Sequence, residues 1–71
     1  NSSTVPLKTM SLIIYTNNIV ISYDIVFSGT VEELAQALDE GLVLLTTKEG
    51  NKVLINPEQA VSIEIKNSPL N

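Results

Sequence analysis

A single stretch of this chain, Thr30 to Gly41, has a helical period, and that stretch must shelter apolar side chains from strand-like runs on both sides of it. Thr30 stands as N-cap with Glu33 three residues on, the capping-box spacing, and Glu32 and Glu33 occupy the first turn, where the helix dipole favours anions. Gly41 supplies the left-handed residue that ends the helix. Val31, Leu34, Ala35 and Leu38 fall on one stripe, while Glu32, Gln36, Asp39 and Glu40 point away and form an acidic helix face. A helix of this size is about 16 Å long and covers one face of about four or five short strands.

The strands offer more than one apolar face. "SLIIYTNNIVISYDIVF" (11–27) is β-branched and aromatic, broken only by Asn17-Asn18, a pair that tolerates positive φ and predicts a tight type I′ hairpin. With Thr16 opposite Ile19, the residues Leu12, Ile14, Thr16, Ile19, Ile21, Tyr23, Ile25 and Phe27 share the core face. Ile13, Tyr15, Val20, Ser22, Asp24 and Val26 share the other, half of it apolar where a solvated antiparallel sheet carries polar residues.

Beyond the helix, "LVLLTT" and "KVLI" flank "KEGN", whose Gly50 and Asn51 suit the positive φ of a short hairpin loop. "NPEQ" makes a further turn in which Pro57 fixes φ. The last strand, Ala60 to Lys66, alternates Val61, Ile63 and Ile65 inward with Ser62, Glu64 and Lys66 outward. The predicted architecture is ββαβββ, an α+β domain with one helix on a mostly antiparallel sheet or partly closed barrel. "NSSTVPLKTM" (1–10) reads as a flexible leader or tag before a start at Met10, residues 11–66 as one globular domain, and residues 67–71 as a flexible tail.

Composition narrows the function. A chain of 71 residues buries only roughly 60% of its unfolded surface, and with neither cysteine nor histidine it has no disulfide framework or thiolate–imidazole zinc site to reinforce it. The acidic balance, four lysines with no arginine against eight carboxylates, disfavours nucleic acid as a partner. No run approaches the roughly 18 apolar residues of a membrane span and no basic-then-apolar leader opens the chain, so a cytoplasmic, non-membrane protein is expected.

Without His, Cys or Arg, acid–base work at neutral pH would need a carboxylate or lysine of shifted pKa, and no spacing assembles such a pair. No enzyme, cofactor or metal site is expected. About six large side chains of the second sheet face lack cover: Ile13, Tyr15, Val20, Val26 and one of the two alternating sets in Leu42–Leu45 with Leu54. Leaving them in water forgoes on the order of 1.5–3 kcal/mol each, comparable with the roughly 5–15 kcal/mol stability of a whole domain. A homo-oligomer follows, either by face packing or by edge-strand pairing into a ring, with Ile13, Tyr15, Val20, Asp24 and Val26 at the interface. An alternative site is the hairpin of Thr46, Thr47, Lys48 and Lys52, where a small polar ligand or RNA backbone would bind in a ring.

Residues 44–64, with "LTTKEGNKVLINPEQAVSIE" at their heart, resemble the FlbD family of small bacterial proteins associated with flagellar genes, in which a strand, a glycine turn and an Asn-Pro turn precede a last Val/Ile-rich strand. "LDEGLVLLTTKEGNKVLI" is similar in rhythm to part of the ring-forming tryptophan-responsive RNA-binding attenuation proteins. The helix and the missing Lys-Arg track depart from the latter, so none of their ligand or RNA residues carries over. The combined expectation is a small bacterial or phage regulatory module that self-associates and binds another protein.

Overall fold

The backbone N–H of Thr16 donates to the Ile19 carbonyl at 2.9 Å, and this closure fixes the pairing of the two longest strands. In the computed structural model, which describes residues 7–67, β1 (Lys8–Tyr15) and β2 (Val20–Phe27) run antiparallel with Tyr15 opposite Val20 and Lys8 opposite Phe27. The register is the expected one. The turn chemistry differs: among the described residues no non-glycine residue has positive φ, so Asn17-Asn18 is not a type I′ turn. The Thr16 side chain holds the turn instead. Its hydroxyl accepts from the N–H groups of Asn18 (3.2 Å) and Ile19 (3.0 Å) and donates to the Ile19 carbonyl (2.9 Å).

The helix α1 (Val31–Glu40) follows, with both hydrogen bonds of the capping box present: Glu33 N–H to Thr30 Oγ1 at 3.1 Å and Thr30 N–H to Glu33 Oε1 at 2.7 Å. Gly41 closes it with its N–H on the Leu38 carbonyl at φ 133°, a backbone open essentially to glycine. The chain continues through β3 (Val43–Thr47) and β4 (Lys52–Ile55). Gly50 takes the positive φ (95°) in the loop between them, and Asn51 does not. A single 3-10 turn at Pro57–Gln59, capped by the Asn56 side chain on Glu58 N–H, leads to β5 (Ser62–Asn67).

All neighbouring strands are antiparallel, and the sheet is open with order β4-β3-β2-β1-β5, an α+β domain of five strands and one helix. β4 and β5 run in the same direction, so the six residues between Ile55 and Ser62 join opposite ends of the two edge strands. Ile55 and Asn56 line a pocket with Ile14, Thr16, Ile21 and Tyr23, so the sheet curls and the end of β4 is brought across the core side toward the start of β5. This crossover runs on the helix side, where Ala60 packs against the core.

That core is one cluster: Met10, Leu12, Ile14, Ile25, Leu45 and Ile55 from the sheet beneath Leu34 and Leu38 of α1. Several details depart from the sequence reading. The first strand begins at Lys8, not Ser11, and Met10 is fully buried (0% exposed) because it continues the parity of Leu12 and Ile14 on a central strand. At the other end Asn67 belongs to β5, opposite Met10, while residues 1–6 and 68–71, most of the predicted leader and tail, lie outside the described residues. On α1, Ala35 is exposed and Ala37 is partly buried. Val61 is 67% exposed rather than inward, since it ends the crossover before β5 begins. Ile19 is 56% exposed because it sits in the turn past the last rung.

Met10→Ala is expected to lower the unfolding free energy by about 2–5 kcal/mol in chemical denaturation, as for other buried methionines. An unchanged midpoint would return residue 10 to the status of a leader.

Candidate functional site

Alternation along each strand sends a second set of side chains to the sheet face opposite α1. Its columns are Leu44 and Thr46 on β3, Lys52 and Leu54 on β4, Val20, Ser22, Asp24 and Val26 on β2, Ser11, Ile13 and Tyr15 on β1, and Ser62, Glu64 and Lys66 on β5. Among the described residues no helix lies on this side, the one helix being packed on the core cluster.

The face is not uniformly apolar. Tyr15 and Val20 are direct cross-strand partners with Ile13 one pair along, so these form one apolar corner, with Val20 61% exposed and Ile13 and Tyr15 partly buried. Val26 lies at the far end of β2, opposite Thr46 of β3, with Ser22 and Asp24 between it and Val20. The five predicted interface residues therefore share one face but not one patch. A second apolar corner, only partly anticipated in the alternatives within Leu42–Leu45, consists of the cross-strand pair Leu44 and Leu54, 63% and 60% exposed, with exposed Leu42 just ahead of β3.

Beside these corners the same face carries a polar belt that reaches from β4 to the β5 edge. Ser11 Oγ donates to Asp24 Oδ1 directly opposite (3.1 Å), and Tyr15 OH donates to Glu64 Oε1 on β5 (3.0 Å). Lys66 Nζ lies 3.9 Å from Glu64 Oε2, and Lys52 Nζ donates to Thr46 Oγ1 (2.8 Å). Asp24 thus has a structural partner, and its backbone carbonyl also accepts from Lys48 N–H at 2.8 Å, tying the β3–β4 loop to β2. Glu64, Lys66 and Ser11 were not singled out as site residues, although strand parity alone puts them on this face once β1 and β5 are paired.

The alternative hairpin does not converge. Thr46 faces the open side and bonds Lys52, whereas Thr47 faces the core at 9% exposure with its hydroxyl accepting from Asn51 N–H (3.1 Å). Lys48 is exposed beyond both. Glu32, Gln36, Asp39 and Glu40 of the acidic helix face are all exposed on α1. A shallow groove of about 280 Å³ lies between α1 and the crossover, lined by Leu38, Asp39, Pro57, Ala60, Val61 and Ile63 among others. No helix among the described residues is long and apolar enough to cross a membrane.

No protein-family model, no curated protein and no solved structure matches this chain.

A shifted group sits in the belt. The hydrogen bond to Glu64, then the negative charge of that carboxylate and a little burial, hold the Tyr15 phenol above its usual 10.0. The fold therefore prefers the neutral phenol: the contribution is present below the unfolded pKa and is lost as pH rises through the higher folded value. In a tyrosinate absorbance titration, Tyr15, identified by its loss in Tyr15→Phe, should ionise above the ordinary range, and Glu64→Gln should bring it back down. Identical curves for the parent and Glu64→Gln would mean that the contact is not formed in solution.

Proposed function

We propose that this chain is a small, non-enzymatic, cytoplasmic module of bacterial or phage origin that self-associates and acts by binding another protein. The observation that carries the reading is the uncovered sheet face, where Val20, Leu44 and Leu54 are each about 60% exposed while α1 and the crossover occupy the opposite side. Apolar corners beside a hydrogen-bonded polar belt have the make-up of a protein contact surface: anchors supply affinity and the belt supplies orientation. The acidic helix face of Glu32, Gln36, Asp39 and Glu40 is a separate, solvated surface suited to a basic partner, where charge steers encounter more than it adds affinity. A kinship of residues 44–64 with the FlbD family belongs to the proposal, supported by the order strand, glycine turn, strand, Asn-Pro turn, strand.

Sedimentation equilibrium or light scattering tests it. The parent chain should exceed the monomer mass of 7.7 kDa at high concentration, and Val20→Glu should lower that mass while the circular dichroism stays unchanged. A strict 7.7 kDa parent at high concentration overturns self-association, and a Val20→Glu variant that associates like the parent removes the Ile13–Tyr15–Val20 corner from the contact.

A further inference from the structure

The strand order restricts how a second copy can extend this sheet. With every neighbour antiparallel in the order β4-β3-β2-β1-β5, the two edge strands β4 and β5 run in the same direction. A head-to-tail joint of β5 onto the next chain's β4, the kind that builds rings, would be a parallel pair in an otherwise antiparallel sheet. A two-fold joint of β5 onto β5 is antiparallel like the rest.

Among the described residues β5 pairs only with β1, so its far edge presents unpaired backbone donors and acceptors. A two-fold axis normal to the sheet keeps the two copies' faces aligned, so partners must share strand parity. Centring the joint on Glu64 sets carboxylate against carboxylate, and centring it on Lys66 sets ammonium against ammonium. Centring it on Ile65 sets Glu64 opposite Lys66 of the partner subunit, and Lys66 opposite Glu64 of the partner subunit, on the open face. The partly buried Ile65 then meets its own copy on the helix side.

The side chains are placed for this exchange. Tyr15 holds Glu64 by Oε1, and Oε2 is left to a cation that sits at 3.9 Å, with the Lys66 and Glu64 side chains 60% and 46% exposed. Resting on the reading of the chain as self-associating, we infer that a second copy of this chain pairs antiparallel along β5 with Ile65 on the two-fold axis. Solvated ion pairs add little attraction, so backbone pairing and the isoleucine contact hold the joint and the charges select its register.

Charge exchange tests the register, read as mass by sedimentation and native mass spectrometry. Glu64→Lys and Lys66→Glu should each weaken the dimer by about tenfold in Kd, since each turns two attractive pairs into repulsive ones. An equimolar mixture of the two variants should form the mixed dimer, and the double exchange Glu64→Lys/Lys66→Glu should restore self-pairing, which a merely misfolded variant would not do. A parent that associates while the single exchanges associate equally well, or while mixing restores nothing, overturns the β5 joint and leaves face pairing standing. A monomeric parent overturns both readings.

Discussion

Everything about which side chains meet which depends on the Thr16–Ile19 closure. Side chains alternate with a period of two, so slipping that hairpin by one residue would turn one strand over relative to the other: with Leu12 and Ile14 kept beneath α1, Tyr23 and Ile25 would go to the open face and Ser22 and Asp24 would come in. The closure is specified chemically: the Thr16 hydroxyl engages three backbone groups of the turn and leaves only one spacing at which they are all satisfied. From this parity follow the position of Met10 on the core side and, once β5 pairs with β1, the assignment of Tyr15 and Glu64 to a shared surface.

A second constraint comes from having one helix and one short crossover in so small a chain. Both lie on the same side of the sheet, with Leu34 and Leu38 of α1 in the core cluster and Ala60 of the crossover packed against it. One face is then doubly covered and gathers Met10, Leu12, Ile25 and Leu34 into complete burial. The opposite face gets its order from side-chain hydrogen bonds across strands, which leave its leucines and valines at the corners with water as neighbour.

What could be read from the sequence was what is local. The capping box, the end of α1 at Gly41, the Asn56-Pro57 turn and the parity of β1 against β2 are set by residues within a few positions of one another. Met10 was legible too, since Lys8-Thr9-Met10-Ser11-Leu12 already alternates, but Pro6 and the polar run before it made the segment resemble a leader. The sign of φ at Asn17-Asn18 was misjudged because residue preference describes the average turn, and here a neighbouring threonine side chain stabilises a different one. Strand order was out of reach. The β1–β5 ladder joins residues such as Ile13 and Glu64, and the long loop it closes leaves no local mark. Without that ladder, neither the Tyr15–Glu64 contact nor the division of the open face into two corners could be foreseen.

The same ladder leaves β5 at the edge of the sheet, where the proposed joint gives its charged residues a part in assembly although exposed charges stabilise a fold so little. An edge strand must either discourage pairing or select it, and charge does both according to its arrangement. A row of like charges repels every incoming strand. Alternation of opposite signs at Glu64 and Lys66, on one face of β5, repels a copy in the registers centred on either residue and admits it in the register between them. In the proposed joint, binding strength and binding choice come from different groups: the apolar side chains and open backbone would make association favourable, and two weakly interacting charges would decide its geometry.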